Sequence, residues 1–458
     1  MEIRFGTDGW RAILCEDFTL PNARKVAKGI ARYVLGKNKE PLILVAYDGR
    51  FMNERFAKEA ALVMQNEGAR VLMTEKDTPT PVIAFAVAKY KADGAVMFTA
   101  SHNPPEYNGI KFIPDYAGPA EPEITAAIEK EIAKIGSVLP AQGEVEYFNP
   151  DKEYEKHLHS LVNLDLISSL KIAYDAMHGA GRLYVGRILK ENGVFVEEFN
   201  TGRDPLFGGR PPEPISKHMQ ELVDLVKEGK VDLGLATDGD ADRFGVIDFK
   251  GRYISANEVL VLIYNYLLET KGPKPVARTV ATTHLLDAIA KAHGVNCIET
   301  PVGFKHIGQI MRTTDVVLGG EESGGLSIAG HIPEKDGILA DLLIAELRAY
   351  YNKPLAEILE GIFAKYGRYV NKRLDLRLTN TKKQEVMQFL RDKQHQQLGP
   401  WKVKLINKTD GVKIVLRQDL WLLARASGTE PVVRIYLEAA SENELKQLEK
   451  ETLAYLNL

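Results

Sequence analysis

The sequence predicts an α/β protein of several domains that ends in a smaller α+β domain. Three observations carry this. Apolar, strand-like runs lead again and again into loops opened by Asp and Gly or Ala: "LILVAYDGR", "LKIAYDAMHGAG" and "VDLGLATDGDADR", at residues 42, 170 and 231. Amphipathic helical stretches such as "NERFAKEAALVMQNEGA" and "PISKHMQELVDLVKEG" lie between them. The last ninety or so residues change character, with the β-rich "GVKIVLRQDLWLLARASGTEPVVRIYLEA" followed by the helical "SENELKQLEKETLAYLN".

Taken in order, the strands of the first three runs alternate with helices, and "PVARTVATTH" adds a further strand of the same kind. That alternation predicts parallel sheets built by βαβ crossovers, with ligands gathered at the carboxyl ends of the strands. Asp-Gly at a strand end is there in the right place, although it is also ordinary turn chemistry. With 458 residues, 45% of them hydrophobic, the chain has material for roughly three or four domains. Breaks are expected near "FNPDKEYEK", "IDFKGRYISANE" and "FAKYGRYVNK", giving domains 1–148, 149–252, 253–368 and 369–458.

Lys and Arg number 59 against 62 Asp and Glu, and the net charge of -3 offers no broad field for nucleic acid or an anionic membrane. Cys15 and Cys297 stand far apart without metal-like spacing, which predicts free thiols in a reducing compartment. The start "MEIRFGTDGW" lacks the apolar core of a signal peptide. No apolar run approaches the roughly 20 residues that span a bilayer. A cytoplasmic protein with a small-molecule partner is the expectation.

Four segments carry chemistry. In "TASHNPPEYNGIKF", residues 99–112, Ser101 follows the strand-like "GAVMF" on a loop stiffened by two prolines, so it is expected to face a cleft or, more simply, to stand in a tight surface turn. In "TDGDADRFG", residues 237–245, Asp238, Asp240 and Asp242 repel one another unless a cation gathers them, so the segment is a metal site or a solvated acidic turn, and for a metal the all-oxygen donor set favours Mg²⁺ over zinc. A calcium EF-hand loop is excluded, because its sixth and twelfth positions would be Arg243 and Phe249. Arg243 offers a planar donor to a phosphate shared with the metal. In "ARASGTEPVVR", residues 424–434, Arg425, Ser427, Gly428 and Thr429 combine a guanidinium, two hydroxyls and open backbone, which suits an oxyanion or, more simply, a capped turn. In "GGEESGG", residues 319–325, Glu321 and Ser323 sit on a flexible acidic loop and are able to read hydroxyl groups. A carrier oxygen, charge neutralisation and a separate phosphate grip converge on phosphoryl transfer.

With "FGTDGWRA" at residues 5–12, these segments resemble, in order and across the whole chain, the α-D-phosphohexomutases, the phosphoglucomutase and phosphomannomutase superfamily. The resemblance implies three related α/β domains and a smaller, mobile fourth around a central cleft. It implies that Ser101 is a phosphoserine and, through its phosphate, a fourth Mg²⁺ ligand beside Asp238, Asp240 and Asp242. Arg11 and Arg243 would meet the reacting phosphate, Lys111 would sit beside it, and His102 would act as a base or brace the loop. Arg425, Ser427, Gly428 and Thr429, with Arg434 nearby, would hold the other phosphate, while Glu321 and Ser323 would read sugar hydroxyls. The implied reaction passes through glucose 1,6-bisphosphate, which also serves as primer.

Dual-specificity members of that family read more like "GEMSGH" at the sugar loop, and here Gly325 replaces the His. The following "GHIPEKDG" and the earlier "VGFKHIG" look more like dedicated phosphoglucomutases. Lys335 becomes a candidate acid or base, His331 its neighbour, and Lys305 a substrate contact. Glucose is therefore the sugar expected first, with mannose and glucosamine phosphates as alternatives. A haloacid-dehalogenase-type phosphatase fits less well, because the position four after its nucleophilic Asp is normally Thr or Val and here is Asp242. A catalytically silent sugar-phosphate binding protein is the remaining rival, and retention of Ser101 with all three aspartates argues against it.

Overall fold

The computed structural model describes residues 3–6, 9–392, 395–427 and 432–458. They fall into two compact units, Met1–Ser255 with Met311–Thr313 and Ser323–Ala356, and Ala256–Ile310 with Thr314–Glu322 and Glu357–Leu458.

The first unit holds two sheets. One contains β1 (Trp10–Ile13), β2 (Leu42–Tyr47), β3 (Arg70–Thr74), β4 (Gly94–Phe98), β5 (Tyr107–Pro114) and β6 (Glu146–Phe148), in the order β1-β5-β4-β2-β3-β6. The other contains β7 (Lys171–Asp175), β8 (Phe195–Phe199), β9 (Leu233–Thr237), β10 (Phe244–Asp248) and β11 (Arg252–Ile254), in the order β11-β10-β9-β7-β8. β2 is parallel to β3 and β4, and β7 to β8 and β9, as helical crossovers require.

The expectation of parallel sheets is corrected at four pairings, two of which, β1 with β5 and β10 with β11, lie at the sheet edges. β4 and β5 are antiparallel, and so are β9 and β10. Their connections, 99–106 and 238–243, are too short for a crossover, which needs about a dozen residues or more. Ser101 and the three aspartates therefore sit at the tips of two antiparallel hairpins, not on βα turns. Strand β15 (Gly325–Ile328) and the helix Gly337–Tyr351, which packs on β9 and β10, also belong to this unit.

Side-chain spacing explains the helices. Asn53–Asn66 buries Phe56, Ala57, Ala60, Ala61, Val63 and Met64 along one face, and Ile30, Val45 and Phe98 share its core. The amphipathic run from Pro214 turns α-helical only at Gln220, after a single 3₁₀ turn at Ser216–His218.

In the second unit β12 (Val276–Thr279) is parallel to both β13 (Cys297–Thr300) and β14 (Leu318–Glu321). β16 (Val370–Arg377) is followed by a short hairpin of β17 (Gln397–Leu398) and β18 (Trp401–Lys402). Then come β19 (Leu405–Asn407), β20 (Val412–Arg417), β21 (Leu420–Ala426) and β22 (Val432–Ala439), which with β16 form an antiparallel sheet in the order β16-β22-β21-β20-β19. The helix Glu442–Tyr455 packs on it, as the α+β reading anticipates. Among the described residues no helix is long and apolar enough to cross a membrane.

Candidate active site

The Ser101 loop is built from the end of β4 outward. Thr99 is buried and donates from Oγ1 to Asp48 Oδ2 at 2.6 Å, while its oxygen accepts Ser101 N at 2.8 Å. Ser101, itself buried, adopts φ +50°, a left-handed conformation that non-glycine residues take only when their surroundings impose it. What imposes it is Arg50. This wholly buried guanidinium donates to the carbonyls of Ser101 (2.6 Å), Asn103 (2.7 Å), Pro104 (2.9 Å) and Tyr107 (2.9 Å). Asp48 pairs with Arg50 Nε at 3.3 Å, and burial pushes its carboxyl up to about 6 despite that cation. Arg11, on β1, donates to Asn103 Oδ1 at 2.6 Å. His102 Nδ1 lies 3.4 Å from Ser101 Oγ, and burial, with the Arg243 and Arg11 cations, holds its ring well below the ordinary imidazole range.

The acidic loop meets this serine directly. Asp238 Oδ2 accepts Ser101 Oγ at 2.8 Å, and Oδ1 accepts the amides of Asp242 (3.0 Å) and Arg243 (3.1 Å). Asp240 Oδ2 accepts Thr80 Oγ1 at 2.6 Å and Lys111 Nζ at 2.9 Å. Lys111 reaches Asp242 Oδ2 at 3.0 Å, and Lys335 reaches the same oxygen at 3.1 Å. Burial, and then the charges of Asp240 and Asp242, raise the Asp238 carboxyl well above the usual range. Gly239 makes the approach possible, since a Cβ there would lie 2.5 Å from the carbonyl oxygen of Ser101.

Donor atoms of the three aspartates lie within 4.8 Å of one another, all buried. Asp242 Oδ1 is buried without a hydrogen-bond donor. A hard divalent cation with oxygen ligands, of which Mg²⁺ is the smallest common case, fits this donor set.

Lys335 runs across Gly325, where a Cβ would meet its Cδ at 2.4 Å. The glycine that replaces a histidine in "GGEESGG" thus gives the lysine its path. Arg243 lies 4.0 Å from Asp242 Oδ1 and 3.9 Å from Glu213. Ser323 is half-buried beside Gly324, whose carbonyl accepts Phe244 N from β10 at 3.3 Å. His331 is not brought to the acidic loop. Its Nε2 faces Asp336 Oδ2 at 2.8 Å and its Nδ1 faces His157 Nε2 at 3.0 Å. Asp336 also accepts Tyr154 Oη (2.6 Å) and caps the helix Gly337–Tyr351 through Leu339 N (2.9 Å), so His331 braces the segment that delivers Lys335.

In the second unit, Glu321 is buried and accepts Gly303 N at 3.1 Å, at the start of the helix Phe304–Thr313 that carries Lys305 in its first turn. Arg425 and Arg434 are cross-strand neighbours on β21 and β22. Arg425 Nη2 pairs with Asp410 Oδ2 at 2.8 Å, and Arg434 Nε stands 3.8 Å from Asp375. Ser427 is buried, and its carbonyl accepts Lys383 Nζ at 2.7 Å. Gly428 and Thr429, like Thr7 and Asp8 of the first segment, lie outside the described residues.

Sequence reasoning missed Asp48, Arg50, Thr80, Lys383 and Asp410. A signal existed for two of them, because "AYDGR" ends a strand as the acidic loop does, but only its Asp-Gly pair drew attention.

The phosphoglucomutase/phosphomannomutase alpha/beta/alpha domains I, II and III match residues 2–138, 152–251 and 255–366, and the C-terminal domain of that family matches 375–454. A phosphoglucomutase/phosphomannomutase of Thermococcus kodakarensis is 31% identical, over 97% of this chain and 96% of its own. A phosphoglucosamine mutase of Methanocaldococcus jannaschii is 32% identical, over 97% and 96%. A crystal structure from Thermus thermophilus, provisionally assigned as a phosphomannomutase, superimposes with a TM-score of 0.89 at 31% identity and covers 100% of both chains. The Ser101 hairpin, the acidic hairpin and the four matching domains together make this chain a member of the α-D-phosphohexomutase superfamily, a family of sugar-phosphate mutases.

Proposed function

We propose that the protein interconverts the 1- and 6-phosphates of an aldohexose, carrying the phosphoryl group on Ser101, and that glucosamine phosphate is its first sugar. The observation that supports the chemistry best is Ser101 Oγ, buried and 2.8 Å from Asp238 inside the acidic triad. For the sugar, the glucose preference read from "VGFKHIG" and "EKDG" gives way to the names of the relatives, which favour glucosamine. Mannose is the second reading, favoured by the Thermus thermophilus neighbour.

In this reading the phosphoryl group passes from Ser101 to O6 of the hexose 1-phosphate. The resulting 1,6-bisphosphate reorients and returns its 1-phosphate to the serine. Asp238, Asp240 and Asp242 would hold Mg²⁺, which when bound supplies charge neutralisation to the transferring group. Lys111 and Lys335 place ammonium groups on the acidic loop that holds the carrier serine, Lys111 on Asp240 and Asp242 and Lys335 on Asp242. His102, with Nδ1 3.4 Å from Ser101 Oγ, braces the carrier loop. Arg50 and Arg11 fix the loop, and Arg425 with Ser427 and its neighbours grips the phosphate that is not transferred.

The test is a kinetic panel of glucosamine, mannose and glucose 1-phosphates with Mg²⁺ and a trace of the matching bisphosphate. It is run beside Ser101→Ala and peptide mass analysis. One phosphate at Ser101, loss of turnover by orders of magnitude in the alanine variant, and the highest kcat/KM for glucosamine phosphate are expected. Near-normal activity of the variant, or inorganic phosphate released without isomerised sugar, overturns the carrier role. A highest kcat/KM for glucose phosphate overturns the sugar assignment alone.

A further inference from the structure

One carboxylate that no sequence segment singled out ties Arg425 to the loop before Lys305. Asp410 stands in the turn leading into β20. Its Oδ2 lies 2.8 Å from Arg425 Nη2 and also accepts Val302 N at 2.9 Å. The next amide, Gly303 N, donates to Glu321 Oε1 at 3.1 Å. Two consecutive amides are thus held by two carboxylates, one shared with Arg425 and the other belonging to the hydroxyl-reading candidate. The turn itself is shaped to the arginine. Gly411 has φ +82°, and a Cβ there would lie 2.4 Å from the Ala424 carbonyl oxygen and 2.6 Å from Arg425 Cγ.

The Arg425 side chain is 18% exposed and that of Asp410 25%, so water screens this pair only in part. Burial disfavours the charged guanidinium, but the hydrogen bond and charge of Asp410 outweigh it and leave the Arg425 pKa raised. Asp410 engages one end of a fork that carries five N–H donors, and the other donors keep a fixed direction.

We propose that Asp410 is a positioning residue for sugar-phosphate binding, which holds the Arg425 guanidinium ready and sets its place relative to the Val302–Gly303 amides. The proposal rests on the reading of Arg425 as the grip on the non-reacting phosphate. Its physical basis is pre-organisation. A free arginine side chain loses rotamer freedom when it closes on a phosphate, and a residue that has already fixed it lowers that cost at the moment of binding. Contacts other than that of Asp410 also dock the C-terminal strands. Lys413 Nζ donates to Val280 O at 2.7 Å and to Glu299 at 3.3 Å, Asn407 Nδ2 to Glu299 at 2.7 Å, and His284 N to Glu438 at 3.0 Å.

The experiment is a double-mutant cycle on the full chain, with the hexose 1-phosphate that it turns over best. Asp410→Ala is expected to raise KM about two- to tenfold, the cost of ordering one rotamer-rich side chain at the moment of binding, with kcat little changed. Asp410→Asn keeps an acceptor for Val302 N and should recover part of the loss. In an Arg425→Ala background the Asp410 change should add almost nothing to KM. Wild-type KM in Asp410→Ala beside a raised KM in Arg425→Ala overturns this proposal alone. So does full additivity in the cycle, which would mean that Asp410 acts by another route. Wild-type KM in Arg425→Ala overturns the grip reading and the proposal with it. If the alanine variant melts early, Asp410→Asn takes its place in the same cycle.

Discussion

Arg50→Lys keeps the charge and removes the shape, which makes it the sharpest test of how the Ser101 loop is held. Arg50 Nη1 serves the Pro104 and Tyr107 carbonyls, Nη2 serves those of Ser101 and Asn103, and Nε faces Asp48. The guanidinium also lies over the Phe207 ring, 4.9 Å from its centroid. A lysine has one nitrogen with three donors at a single point, against five spread over a planar fork. At least one buried carbonyl then loses its partner, and two do if the ammonium settles at either nitrogen position. Each such bond is worth about 1.5–3 kcal/mol, so the loop should lose about 1.5–6 kcal/mol of local stability. Ser101 holds its left-handed backbone only under that constraint, and a shift of about 1 Å in a reacting group costs on the order of a hundredfold in rate. Turnover should therefore fall about a hundredfold while substrate KM changes little, because Arg50 touches no exposed surface. Steady-state kinetics, with hydrogen exchange of the 99–107 amides as the structural readout, measures both. Wild-type kcat together with unchanged exchange would refute the cradle.

Gly325→Ala should force the Lys335 side chain off Asp242 and lower kcat, with KM and melting temperature less affected; a wild-type kcat would separate Lys335 from the reaction. Gly239→Ala drives a methyl into the Ser101 carbonyl and should lower both kcat and melting temperature, read by kinetics and calorimetry. His157 titrates below its ordinary 6.5, first through burial and then through His331. The unfolded chain therefore binds that proton more readily, and the stability it contributes is complete above pH 6.5 and falls as the pH drops below it. Melting temperature measured from pH 8 down to pH 5 should decline less steeply in His157→Gln. Mg²⁺ should bind more tightly to protein phosphorylated at Ser101 than to the dephosphorylated form, and titration calorimetry on the two forms decides it.

What was legible in the sequence is what is local. Asp238, Asp240 and Asp242 stand at alternate positions of one turn, so their shared chemistry shows in the letters, and Ser101 sits on a loop whose prolines announce that it is not helix. Arg50 and Asp48 escaped because their work lies in partners about fifty residues away, and a single arginine after Asp-Gly looks like surface. Thr80 reaches Asp240 across 160 positions, and no local pattern marks it. The antiparallel hairpins were misread for a different reason. Strand–helix alternation dominates the pattern, and only connection length, which depends on where each strand ends, separates a hairpin from a crossover. His331 was placed near the reaction by its neighbour Lys335, but side chains four apart on a non-helical segment need not face the same way.

The charges of the site explain why the metal and the phosphoryl group should bind together. Three buried carboxylates face two ammonium groups, Lys111 and Lys335, with the Arg243 guanidinium beside them. The protein's own cations thus come close to balancing its acids. A phosphoserine brings about two negative charges, and Mg²⁺ two positive ones. Either alone leaves the buried site with an uncompensated charge, which is costly in a region shielded from water, whereas the pair restores the balance. Thermodynamic linkage makes this reciprocal: whatever factor phosphorylation adds to metal affinity, the metal adds to the stability of the phosphorylated form.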